Sequence, residues 1–182
     1  MSPVNRGRML LAAAIGVLIG LAIARTRKVT SKARMVLNGD WEGQLKAEHR
    51  AVRRLLKGMV DTEVEDGPRR AALLAEVADT LTRHAVEEEN VIYPALRAAG
   101  AGKVVDDLLA DHAGMRTLIR RLEGTSLEDP AWAAGARALK DLVHRHMREE
   151  ERDHFPLLHD TASDEETETL TRLVRHEGGR VG

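Results

Sequence analysis

The sequence predicts an all-α chain: an up-down-up-down antiparallel four-helix bundle, with an N-terminal hydrophobic helix before it and a short C-terminal helix after it. Three observations carry this reading. Ala, Leu, Arg and Glu dominate, and the aromatic residues are only Trp41, Tyr93, Trp132 and Phe155, a composition that favours helix over sheet. Apolar residues recur at three-and-four spacing in four long stretches separated by Gly and Pro, the pattern of amphipathic helices. Those stretches also fall into two hairpins of matching sequence. At 182 residues the chain has the length of one ordinary domain with a short appendage.

The first element is apolar. Met9 to Ala24 runs without a charge, bracketed by Arg6 and Arg8 on one side and Arg25, Arg27 and Lys28 on the other. As a helix it reaches roughly 24 Å, just short of a hydrocarbon layer of about 30 Å, and flanking arginines can snorkel. The small-x-small end Ala22-Ile23-Ala24 suits a cleaved signal, but the basic cluster that follows opposes translocation. Residues 9–24 are therefore expected to anchor the protein in a membrane, with the following domain in the cytoplasm by the positive-inside bias. Gly16 and Gly20 form a GxxxG pair that would suit a homodimer.

Beyond a connector that closes the segment 1–39, a bundle domain is expected over 40–160 and a short helix and tail over 161–182. The first bundle helix reads from about Asp40 to Val60 and stops at DTEVEDGP. The second runs from Pro68 or Arg69 to Ala99, closed by Gly100 and Gly102. The third spans about Lys103 to Glu123, ending at Gly124, and the fourth runs from Pro130 to about His159. These limits rest on Pro at first turns and Gly after last turns. Ser163 and Glu166 have capping-box spacing and start the last helix, which reads to about His176.

Some functions are excluded early. A formal net charge of -1 offers no basic excess for phosphate backbones, so no nucleic acid is expected as a partner. With no cysteine, disulfides, thiolate chemistry and cysteine-ligated metal clusters are ruled out. Any metal must be held by His and carboxylates.

The core-facing stripes contain such residues. They are Leu45, His49, Val52, Leu56 and Met59; Leu74, Val77, Leu81, His84, Glu88, Val91 and Ala95; Val105, Leu108, His112, Met115, Ile119 and Leu122; and Leu139, Val143, His146, Glu150 and Leu157. Six polar groups in a small core would cost a few kcal/mol apiece without partners, about as much as a domain's whole stability. The hairpin repeat superposes the same positions. AEHRAVRRLL aligns with ADHAGMRTLI, placing His49 on His112, and HAVEEENVIYP aligns with HMREEERDHFP, placing His84 on His146 and Glu88 on Glu150. On a helix, residues i and i+4 share a face, so each HxxxE pair can present an imidazole and a carboxylate to one centre. Two such hairpins make a binuclear metal site. Imidazole with carboxylate suits Fe, Mn, Zn or Co, and zinc would be redox-silent there.

A lone His, then HxxxEExx[IL][YF]P, then a second lone His and a second HxxxEE with a closing aromatic-Pro resembles the hemerythrin HHE family over roughly residues 40–159. The resemblance implies a bundle with a non-haem di-iron centre. Its implied ligands are His49, His84, Glu88, His112, His146 and Glu150, and its implied partner is a small diatomic or peroxide ligand. Family members bind or sense oxygen, sense iron, or deal with peroxide and nitric oxide; iron handling without redox turnover is the alternative. Oxygen carriers usually have a second His one turn after the third helix's first, where this chain has Arg116, which argues against a reversible carrier.

Neighbouring residues receive blander expectations. Glu87 can stand in for Glu88, while Glu89 and Glu151 point away into solvent. Tyr93 and Phe155 pack at the bundle end. His144, His159 and His176 lie on the surface, and His154 is a weaker candidate for a supporting or substitute ligand.

Overall fold

The computed structural model describes residues 39–179, and every regular element among them is helical. The chain divides into two units at Asp40, and the described helices belong to the second. The apolar stretch 9–24 and its GxxxG pair lie outside the described residues. Among the described residues, no helix is long and apolar enough to cross a membrane.

Helix α1 is Trp41–Val60. Helix α2 begins at Gly67–Glu87, widens into a π-helical turn over Glu88–Ile92, and resumes as Tyr93–Ala98. Helix α3 is Gly102–Glu123. Helix α4 repeats the plan of α2, with Pro130–Glu149, a π turn over Glu150–His154 and then Phe155–Thr161. Helix α5, Asp164–Gly178, closes the unit. Asp129 caps α4 by accepting from the Ala131 amide at 2.8 Å. Ser163 and Glu166 form the expected capping box on α5, satisfying amide groups that a helix start leaves without intrahelical partners. Gly178 lets α5 lie close to α2, since a Cβ there would collide with the Glu87 carboxylate.

The π turns have a chemical cause. Pro94 and Pro156 have no amide hydrogen, and their rings crowd the carbonyl four residues back. The chain widens by one residue just before each: the Tyr93 amide bonds to the Glu88 carbonyl, and the Phe155 amide to that of Glu150. Each inserted residue shifts the inward register beyond it by one. This corrects two expected core positions. Leu157 is 38% exposed and Leu158 takes its place in the core; likewise Ala95 is only half-buried, and Leu96 is fully buried.

Two apolar clusters result. One gathers Val52, Leu56, Met59, Leu74, Leu139 and Trp132 with their neighbours. The other joins Trp41, Leu45, Ile92, Leu96, Phe155 and Val174. Along every long helix the buried His falls at the border between them: His49 between Leu45 and Val52, and His112 between Leu108 and Met115. The polar residues of the stripes thus form one layer between two apolar ones.

Candidate metal centre

His49, His84, His112, His146, Glu88 and Glu150 are all buried, and the helices bring them together. Their side-chain nitrogen and oxygen atoms fall into two groups that can each hold a metal ion, one of His49, His84, Glu88 and Glu150 and one of Glu88, His112 and His146. The imidazoles face each other in pairs. His49 Nε2 lies 2.9 Å from His84 Nε2, and His112 Nε2 lies 3.1 Å from His146 Nε2. Two nitrogens each held about 2.1 Å from one ion at right angles would stand about 3 Å apart.

Both carboxylates span the two pairs. Glu88 Oε1 is 3.1 Å from His84 Nε2, while its Oε2 is 3.3 Å from His112 Nε2. Glu150 Oε2 is 3.5 Å from His49 Nε2, and its Oε1 is 3.4 Å from His146 Nε2. Glu88 Oε1 and Glu150 Oε2 are buried without a hydrogen-bond partner, despite the short approach of His84 to the former. That leaves two fully buried acceptors aimed at a centre already ringed by imidazole nitrogens. Orphaned acceptors of this kind cost about 1–3 kcal/mol each, more when charged.

A further ring of carboxylates turns the imidazoles inward. Glu151 lies 2.8 Å from His49 Nδ1, Glu48 lies 2.9 Å from His84 Nδ1, and Glu89 lies 2.8 Å from His112 Nδ1. Asp111 stands farther from His146 Nδ1, at 3.6 Å. A carboxylate only accepts, so Nδ1 carries the hydrogen, and in the neutral ring Nε2 is left with its lone pair toward the centre. The arrangement follows the sequence repeat: the acid just before each lone His serves the HxxxE His of its own hairpin, and the second Glu of each EE pair serves the lone His of the other. Glu89 and Glu151 are therefore not pointed into solvent as the sequence suggested. Each sits at a helix–helix seam, where a long side chain reaches the outer nitrogen of a ring on the neighbouring helix. The HxxxEE repeat itself held the signal, since both glutamates recur.

Tyr93 also belongs to the site rather than merely to the bundle end. Its hydroxyl donates to Glu150 Oε1 at 3.0 Å and lies 3.1 Å from His112 Nε2 and 3.4 Å from Glu88 Oε2. The π turn aligns position 93 with position 88, which α-helical spacing would have placed on different faces. Phe155, the matching residue of the second hairpin, stacks on His49 with ring centroids 5.7 Å apart, so only one half of the site carries a hydroxyl. Glu87 does not stand in for Glu88. Its carboxylate accepts from Gln44 at 3.2 Å, away from the centre. His154 is half-buried and takes no part in either ligand group. His144 is half-buried, while His159 and His176 are exposed.

The electrostatics describe a centre short of positive charge. Burial raises the Glu150 carboxyl and the charge of Glu88 raises it further, well above the usual carboxylate range. Burial also opposes ionisation of Glu88, but the charge on His84 and the adjacent His112 and His49 imidazoles hold it well below that range. Burial would lower His84, yet Glu88, Glu48 and Glu150 outweigh it and raise the imidazole well above its ordinary value. Protons thus gather where like charges would otherwise meet. A bound cation satisfies the same need without them, and the donor set fits one of intermediate softness.

The hemerythrin HHE cation-binding domain pattern matches residues 43–158. This chain belongs to the hemerythrin HHE family. A crystal structure of a hemerythrin HHE cation-binding domain-containing protein from Mycobacterium kansasii superposes with a TM-score of 0.69 at 24% identity, over 78% of this chain and 86% of that one, which shows the shared fold. A protein of Nostoc sp. named as a DNA nickase is 30% identical over 93 residues, 51% of this chain but only 26% of the relative. The hemerythrin-like chain thus spans about a quarter of that protein's length.

Proposed function

We propose that this protein is a hemerythrin-like, non-haem di-iron protein that binds, senses or reacts with a small oxidant: oxygen, peroxide or nitric oxide. The carrying observation is the pair of buried carboxylates, each with one oxygen toward the His49/His84 pair and the other toward the His112/His146 pair. In this reading His49, His84, His112, His146, Glu88 and Glu150 would hold the iron. The short joins between α1, α2, α3 and α4 support an up-down-up-down bundle over residues 40–160 as the frame. The uncharged run 9–24 supports a membrane tether before it.

Bound iron would supply a reversible one-electron couple and a Lewis acid to a small ligand. The protein's own part is to position and to exclude. Glu48, Glu89 and Glu151 fix the imidazole tautomers, and the two apolar clusters keep water from the centre. Tyr93 is a hydrogen-bond donor throughout the physiological range, because burial and the charges of Glu88 and Glu150 raise its phenol well above its ordinary value. It can therefore hold a proton at Glu150 Oε1 or present it to a ligand beside His112. Arg116, where oxygen carriers place another His, leaves the two halves with equal imidazole counts and favours reaction or sensing over reversible carriage.

The test is a visible spectrum of the iron-loaded chain before and after hydrogen peroxide or nitric oxide. A visible charge-transfer band of the iron-loaded chain that changes with the oxidant supports the reading. A colourless chain with helical circular dichroism, or a band unchanged in Glu88→Ala, contradicts it.

A further inference from the structure

A cavity of about 110 Å³ lies between α2 and α3 and ends on three of the four site imidazoles, those of His84, His112 and His146. Its walls are apolar, formed chiefly by Leu81, Met115, Ile119 and Met147. That volume is several times what one water needs, yet well below the roughly 300 Å³ at which drug-sized ligand pockets begin. An apolar chamber of this size suits an uncharged diatomic molecule and disfavours an ion, whose desolvation the walls do not offset.

Arg116 and Glu89 also line this cavity. Arg116 is about half exposed, and its Nη1 donates to Glu89 Oε1 at 2.9 Å. The same oxygen accepts from His112 Nδ1, so one ion pair spans from α3 to α2 at the outer edge of the chamber and is tied to a ring at its inner end. The broad groove between α1 and α2 is the rival route. It is larger, about 500 Å³, and also reaches His84, but beside Leu55 and Leu73 it carries Glu48, Arg54, Glu76, Arg83 and Glu87, five charged groups that suit an ion better than an apolar gas.

We propose that the α2–α3 cavity is the entry and holding chamber for an uncharged diatomic ligand, and that the Arg116–Glu89 pair is the latch across its mouth. This rests on the di-iron reading for the ligand's destination, but the chamber itself is open to a test that needs no iron chemistry. Xenon pressure on the purified chain should shift the methyl NMR signals of Met115 and Met147, as apolar cavities bind xenon. In the metal-loaded chain, stopped-flow mixing with nitric oxide reads entry. Arg116→Ala should speed association about two- to fivefold, the range an exposed ion pair can hold closed, with metal content unchanged. Thr82→Trp, on the exposed rim and away from the core, should slow association severalfold.

Unmoved methyl signals under xenon overturn the chamber. Unchanged rates in both variants, or rates that respond instead to Leu55→Trp in the α1–α2 groove, overturn the route. A chain that binds xenon but takes up no metal upholds the chamber and removes the di-iron reading instead.

Discussion

Single side chains decide the charge balance of the centre. The carboxylates behind the imidazoles are expected to matter according to their distance. Glu89→Gln and Glu151→Gln should weaken metal affinity about 10- to 100-fold in a chelator competition, the range for groups that orient a ligating His. Asp111→Asn, whose native carboxylate stands at 3.6 Å, should weaken it least. Glu87 lends itself to a test by pH. Burial and the nearby charge of Glu48 raise its carboxyl to about 7. A raised folded value means that the folded protein binds the proton more tightly than the unfolded chain. The penalty is therefore absent below about pH 4, grows as pH rises toward 7, and stays constant above. Glu87→Gln should stabilise the fold by about 1–2 kcal/mol at pH 8, discounted for partial solvent screening, and by little at pH 4. Thermal melts at the two pH values check this.

At the scale of elements, the π turns connect sequence to site. Apolar spacing and the Gly and Pro breakers predict the four long helices, and the capping box over Ser163 and Glu166 is realised. The all-helical class was legible because propensity and periodicity agree. The one-residue widening before Pro94 and Pro156 was not, because a fixed 3.6-residue period cannot report an insertion in the hydrogen-bond ladder. Its consequences are the misplacement of Leu157 and Ala95 and the missed Tyr93. Pro94→Ala restores an amide that can bond the Asn90 carbonyl, so the turn should relax toward α-helix. Helical content should hold or rise by circular dichroism while metal affinity falls, as Tyr93 and Glu88 lose their alignment. Arg70 plays a structural part at the far end. It is buried, stacks over Trp132 at 4.7 Å, and donates to Thr62 Oγ1, the Thr62 carbonyl and the Leu127 carbonyl. Arg70→Met should cost about 2–3 kcal/mol in denaturant melts by leaving buried carbonyls unpaired.

The described unit sets two helical hairpins around a shared polar layer, with α5 packed beside them. The repeat makes this geometry legible from residue order alone: His49 with His112, His84 with His146 and Glu88 with Glu150 are pairs in sequence and recur as halves of one centre. Departures from the repeat carry the individuality of this chain. Tyr93 against Phe155 puts a hydroxyl in one half only, whereas the Arg116–Glu89 pair keeps the repeat and matches Arg53–Glu151. Such departures lie outside what spacing alone can interpret, because their meaning depends on which helices become neighbours.

Six buried donors converge, and together they should hold two cations. Elemental analysis of the purified chain, expressed in iron-replete medium, tests it most directly when paired with the His84→Ala and His146→Ala variants. Two iron ions per chain, and a loss of metal in either variant with helicity retained, are expected. A metal-free native chain, or metal content indifferent to both substitutions, would contradict it.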